Sequence, residues 1–458
     1  MIPSRLGVTG PLTLSAALLT GAALLPGMAV AQDDSDLAPQ AQLSVSQQLS
    51  LDNGDLIGRI PLDLSLRTGT RSEVFGMTAS VPLRLGDPDD DNDLGIGDRR
   101  AELFYRRFAR QSSIELQGRY VEADLDRLIF FDDLVDDIVT LDGGRRADTG
   151  LRAGYAFGSQ SKLGGEFDLG YLDRRYIDTT DPDLTDSRTV DGAATIFLEP
   201  TPLIRARILG SVLETESEGT GTDTRRHRAG VGASMQVNRR INLDLELAQS
   251  YIRREEGDTG LVEESDGLSW SGTATYLRPL GDYTLTVSSD PGTEGRRDRL
   301  SFGHSLERPT YTLSLAAGVT RLDGGDVDPT VQIAYSGELD RRSRAQLSLQ
   351  RDAISDLDGN EAINTSLRGS YTRQLDERSS VGISLFFRES EVQRGDRQDA
   401  RSAALDISYS RTIRQNISLS AGVNVVRSRE SDGLREDDER VYVGLGRSVR
   451  PDRAGRSG

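Results

Sequence analysis

Apolar and polar residues alternate with a period of two along most of this chain. In 241–247, Ile241, Leu243, Leu245 and Leu247 point one way, while Asn242, Asp244 and Glu246 point the other. The same alternation runs through 381–388, 403–410 and 417–425, with Val381, Ile383, Leu385 and Phe387 typical of the apolar set. A period of two places each set on one face of a β-strand. Tight turns separate the strands at 108–111, 237–240, 339–342, 375–378 and 413–416, and looser acidic loops such as 254–266 and 429–440 lie between those turns. The best-fitting division has about 22 strands, with about 18 as the lower bound, from 42–51 to 439–448; 52–58 is equally readable as part of a periplasmic arm.

Several strands repeat charge on the polar face: Glu166, Asp168, Arg205, Arg207, Asp244, Glu246 and Asp406. Charges repeated along a buried face cannot fill the core of a sandwich, but they cost little against water. One face wet and the other apolar, with short turns at one end and longer loops at the other, fits an all-β fold. The expected form is a single antiparallel up-and-down transmembrane barrel with short periplasmic turns and longer acidic external loops. Each repeat of roughly 40 residues holds two long strands rather than the four short ones of a propeller blade. A β-solenoid would show hexapeptide or nonapeptide repeats, and the sequence has none.

Composition agrees with this reading. Hydrophobic residues make up 36% and charged residues 28%, beside 48 glycines, which is thin for a soluble core of this length but ordinary for a barrel. The N-terminus carries Arg5, an apolar run from Leu12 to Leu25, then Pro26, Gly27 and Ala29-Val30-Ala31. This is the pattern of a secretory signal peptide (1–31) cut before Gln32. An anchor helix is the competing reading, and Pro26 and Gly27 stop the run short of the roughly 20 residues a span requires. A short arm (32–41), the barrel (42–448) and a polar tail (449–458) would follow. There is no cysteine, hence no disulfide and no thiolate metal site. Lys162 is the single lysine, which a coding bias explains. A net charge of −18 with dispersed Arg argues against nucleic acid as a partner.

With signal peptide, strands and turn asymmetry together, residues 42–448 resemble a Gram-negative outer-membrane β-barrel of the porin-like kind. The resemblance is architectural and rests on no catalytic motif. It implies an outer-membrane location, contact with lipid and lipopolysaccharide, and handling by the barrel-assembly machinery. The chain departs from it in ending Arg447-Ser448-Val449-Arg450-Pro451 and running on to Gly458, where many such barrels end on an aromatic residue. Aromatics are only 5%, so interfacial girdles should be thin, with Tyr120, Tyr171, Tyr251, Tyr311, Tyr371 and Tyr409 as candidates. Barrels of 22 strands usually resemble TonB-dependent transporters, which carry a plug ahead of the barrel. So little sequence precedes the first strand here that a barrel without a plug is expected, and energised uptake of siderophores or cobalamin is not.

Segment 124–148 is the longest loop. Leu128, Phe131, Leu134, Val135 and Ile138 recur in it at helical spacing, with Asp124 or Asp126 as N-cap and Gly143-Gly144 as stop. In porins, which this chain resembles, the third external loop folds inward and sets the constriction, and 124–148 is the third by this count. An inward fold would make Asp132, Asp133, Asp136 and Asp137 constriction residues favouring cations; a surface-packed helix or an irregular loop remains open. Asp89, Asp90, Asp91 and Asp93 are dense enough to suggest Ca²⁺, but they lack EF-hand spacing and read more simply as a solvated loop.

The two histidines offer no catalytic constellation. His227 sits in an Arg-rich strand start that suits a cationic mouth, and His304 and Ser305 are adjacent, so they face opposite ways. No enzyme and no cofactor are expected. The function expected is a passive or gated aqueous pore for hydrophilic solutes. An export or structural barrel of an envelope assembly, such as one passing polysaccharide, is the alternative.

Overall fold

Alternating segments of this length have one way to satisfy every backbone group in hydrocarbon, which is to pair edge to edge until the sheet closes. A computed structural model of the chain shows that closure. It describes residues 40–449 apart from 53–54, 86–93, 126–143, 180–183, 220, 258, 293–294, 356–360, 395–398, 415 and 431–434. In chain order the strands are β1 (Gln40–Asp52), β2 (Asp55–Gly69), β3 (Glu73–Leu85), β4 (Leu94–Ile96), β5 (Arg99–Phe108), β6 (Ser112–Asp124), β7 (Arg145–Phe157) and β8 (Leu163–Ile177). They continue as β9 (Ser187–Thr201), β10 (Ile204–Ser217), β11 (Thr222–Asn238), β12 (Ile241–Glu256), β13 (Val262–Arg278), β14 (Gly281–Gly292), β15 (Gly295–Glu307) and β16 (Tyr311–Leu322). The remainder are β17 (Val327–Asp340), β18 (Ser343–Ser355), β19 (Glu361–Gln374), β20 (Ser379–Arg394), β21 (Ala400–Arg414), β22 (Ile417–Glu430) and β23 (Arg435–Val449).

Each strand is antiparallel to its neighbours, and β23 returns to pair β1 from Leu43↔Val449 to Asp52↔Arg440. The short β4 and the longer β5 both pair β3, so together they form one stave of a closed 22-strand barrel. Among the described residues no helix is long and apolar enough to cross a membrane, which says nothing of a barrel.

Several boundaries differ from the sequence reading. The acidic segments 254–266 and 429–440 are largely ladder: β12 runs to Glu256, β13 starts at Val262, β22 runs to Glu430 and β23 starts at Arg435. Pairing continues past the apolar belt because above it both faces meet water, and backbone hydrogen bonds need no apolar partner there. Asp52 and residues 55–58 belong to the β1–β2 ladder, in which Asp52 faces Asp55. The loop end also includes two-residue connections, at 53–54 and 293–294.

Connections at the opposite end hold two to five residues. Three of them share one device. Asn238 Oδ1 accepts the Arg240 N–H at 2.8 Å, Asp340 Oδ1 accepts Arg342 N–H at 2.7 Å, and Asp376 Oδ1 accepts Arg378 N–H at 2.7 Å. A side-chain oxygen bonded two residues on is the Asx turn, which reverses the chain without a glycine.

Register fixes a consistent inside and outside. On β12, Leu243, Leu245 and Leu247 face out, while Asp244, Glu246 and Ala248 face in, and each ladder carries that parity to the next strand. The outer wall is apolar stave after stave, as with Val441, Val443 and Leu445, or Leu313, Leu315, Ala317 and Val319. Tyr120, Tyr171, Tyr251, Tyr311, Tyr371 and Tyr409 all lie on the outward parity. Aromatics gather at the turn end: Tyr155, Phe157 and Phe167 stack at 6.1–6.5 Å, and Tyr283 packs on His304 at 4.4 Å. Few aromatics therefore suffice for that girdle, because strand pairing brings distant ones side by side.

Candidate functional site: the lumen wall

The inner wall has two unlike sectors. On β13 to β18 the middle inward positions are small and neutral, including Ser269, Ser271, Thr273, Thr286, Ser301, Ser314, Thr330 and Gln332. On β5 to β12 charged side chains recur among them. Arg106 reaches Glu115 across one ladder with Nε–Oε1 at 2.8 Å, and Arg146 and Arg174 both meet Asp148, at 2.7 and 3.3 Å.

The most connected cluster spans β10 to β12. Arg207 donates two parallel bonds to Asp244, Nη1–Oδ2 and Nη2–Oδ1, both 2.7 Å, and a third from Nη2 to Glu246 at 3.0 Å. Arg228 Nη2 holds the other oxygen of Glu246 at 2.7 Å, and Ser234 Oγ donates to Asp244 at 2.5 Å. Beside it Arg205 is bonded to Glu199, with its guanidinium 4.6 Å from the Phe197 ring centre. A two-pronged guanidinium–carboxylate pair with further donors on the acid is the strong form of an ion pair.

Arg207 sits on β10 and Asp244 on β12, so the side chain must cross β11. It crosses over Gly232, where a Cβ would stand 2.6 Å from Arg207 Nε. Asp191 leans over Gly170 of β8 in the same manner, with a Cβ there only 2.0 Å from its Oδ1. Glycine at these inward positions is what lets charges on neighbouring staves meet.

All seven residues singled out for the polar strand faces (Glu166, Asp168, Arg205, Arg207, Asp244, Glu246 and Asp406) lie on the inward parity. The structure joins Arg207, Asp244 and Glu246 in one cluster. Glu166 and Asp168 are exposed to the lumen on β8, and Asp406 sits apart on β21, opposite Asn424 of β22. Sequence reasoning missed Glu199 and Ser234 and read Arg228 only as part of a cationic mouth patch, although the inward pair Gly230 and Gly232 beside charged strands was a usable signal. Asp132, Asp133, Asp136 and Asp137, and likewise Asp89, Asp90, Asp91 and Asp93, lie outside the described residues. Among the described residues no three acidic or imidazole side chains converge as a metal site. His227 and His304 both face outward, each against a tyrosine.

No family model and no curated protein matches the chain. Solved structures do match. The FrpB iron transporter from Neisseria meningitidis aligns with a TM-score of 0.57 at 8% identity, covering 89% of this chain and 82% of that one. The ferric-catecholate import receptor Fiu from E. coli, in its open form, gives 0.57 at 9%, covering 89% and 81%. The copper transporter OprC gives 0.53 at 11%, covering 91% and 81%. What the chain shares with them is a closed antiparallel 22-strand barrel. At these identities the likeness concerns the fold alone. Its neighbours are plugged receptors, so the expectation of a barrel without a plug gains no support from the comparison.

Proposed function

We propose that the protein is an outer-membrane transport barrel whose lumen gives hydrophilic solutes a passive or gated aqueous route. The observation that carries this reading is the polarity of the inner wall, where inward positions are hydroxyl, amide, glycine or paired charge over most of the circumference. Such a wall keeps water and offers no continuous apolar surface to a solute. Glu166 and Asp168, exposed to the lumen, favour cations over anions. Outward-facing aliphatics meet the lipid of the outer membrane, and the loop end faces lipopolysaccharide. If 126–143 turns inward, Asp132, Asp133, Asp136 and Asp137 add to the cation preference.

Conductance of the refolded chain in a planar bilayer tests the proposal, with heat-shifted gel migration confirming the fold. Steady steps with a cation bias are expected. A folded, inserted barrel that passes no current would sink it. That outcome favours a second reading, a ligand-specific import receptor, supported by the strand number and by the iron, copper and siderophore roles of the structural neighbours.

A further inference from the structure

Two prolines stand opposite each other in neighbouring staves, Pro61 of β2 and Pro82 of β3. In an antiparallel ladder each residue turns its N–H and C=O toward one neighbour only. The Pro82 carbonyl accepts from Gly97 N–H at 2.8 Å, so its backbone groups turn toward β4 and β5. The facing Pro61 must then turn its groups the other way, toward β1. Neither proline has an N–H to give. The β2–β3 ladder between them is spared, and each outer flank loses one N–H donor.

Both flanks are interrupted in the register. β1 pairs β2 at Gln48↔Arg59 and again at Val45↔Leu62, with no ladder pair at Ser46 and Gln47, where Pro61 stands opposite. β3 pairs β5 up to Ser80↔Arg100 and β4 from Leu83↔Ile96, and the stave opposite is interrupted at Gly97 and Asp98. Prolines within a sheet belong at edges or bulges, so this hairpin carries two edge signals inside a closed wall. A third observation lies at the first break. Gln47 faces outward there, exposed between Val45 and Leu49 on its own strand and beside Leu445 of β23. With Arg447 outward opposite Val45, this amide extends a polar patch on the outer wall that suits a polar group crossing it.

We infer that the β2–β3 hairpin is a lateral gate, parting from β1 to connect the lumen with the bilayer for an amphipathic, lipid-like molecule. Its polar head stays on the lumen side among Ser44, Gln48 and Ser80, which share the inward parity, while its tail passes outward beside Gln47. Parting can start here, because the pairs at Ser46 and Gln47 are missing from the middle of a ladder that otherwise runs from Gln40 to Asp52. This goes beyond solute passage along the barrel axis and stands or falls independently of conductance.

The chain has no cysteine, so one probe can be placed alone. A bimane fluorophore on Ser44→Cys faces the lumen near the break, and one on Ser370→Cys faces it across an intact ladder. Both are reconstituted in vesicles of brominated phosphatidylcholine, with heat-shifted migration confirming folding of every variant. Bromine on the lipid tails should quench the Ser44 probe and leave the Ser370 probe bright. Restoring both N–H groups with Pro61→Ser and Pro82→Ser should abolish the quenching at Ser44. Equal brightness of the two probes overturns the gate, and so does quenching that survives the double serine variant.

Discussion

Arg207 shows how much of the lumen is decided by single side chains crossing staves. Its guanidinium neutralises Asp244 and shares Glu246 with Arg228. Arg207→Ala leaves Asp244 without its two-pronged partner, so the lumen gains negative potential. The reversal potential in a KCl gradient should move toward the cation limit, and Asp244→Asn should move it the other way. A shift of the same sign for both would refute the pairing. Losing such a charge-assisted pair should also destabilise the barrel by about 1–3 kcal/mol, read as a lower urea midpoint. Gly232→Val should share the stability loss of Arg207→Ala but move the reversal potential less, since its Cβ displaces Arg207 from the space it crosses without removing its charge. The inward orientation of Arg207 and Asp244 was legible from alternation. Their meeting was not, because it depends on the register of two ladders, and register is a property of three strands rather than of any one.

Hairpins repeat one economy, a side-chain oxygen that closes the turn. In Leu375-Asp376-Glu377-Arg378 the carboxylate takes the Arg378 amide, and its pKa lies below the usual aspartate range. The Ser379 hydroxyl is the largest cause and the Arg378 N–H the next. A depressed carboxyl stabilises the fold at pH values above its unfolded pKa, near 4, and the contribution fades as pH falls through the lower folded value. Asp376→Ala should therefore unfold at lower urea than the parent at pH 6, and the gap should shrink below about pH 4. A gap independent of pH would assign the effect to chain stiffness instead of the carboxylate. The tight turns at 237–240, 339–342 and 375–378 were readable in the sequence because Asn and Asp recur at one offset before Arg. Strand ends at the loop side were not, since ladders such as β12 and β13 outlast the apolar alternation that betrays a strand. The division of one stave into β4 and β5 was equally hidden, as it follows from Pro82 on the neighbouring strand.

At the scale of the whole barrel, the outer wall sets the membrane it suits. On β16 the outward positions run from Tyr311 through Leu313, Leu315, Ala317 and Val319 to Arg321, an aromatic at one end and a charge at the other. Ten residues at about 3.4 Å each, tilted by about 40°, rise about 25 Å along the membrane normal. Other staves end their apolar runs the same way, with Asp298, Arg351, Glu389 and Arg427 outward toward the loop end. That height is shorter than an average hydrocarbon core of about 30 Å and matches a thin outer membrane. A longer core would have to thin locally or draw Asp298 and Arg321 inside, and both cost free energy. Folding yield into phosphatidylcholine vesicles, scored by heat-shifted migration, should therefore be higher with 12- or 14-carbon chains than with 18-carbon chains. Moving the boundary makes the argument sharper. Arg321→Leu and Asp298→Leu together extend the belt on two adjacent staves, and should raise the yield in 18-carbon lipid relative to the parent. An unchanged preference for short chains would mean that insertion is limited by a step other than matching the belt to the core.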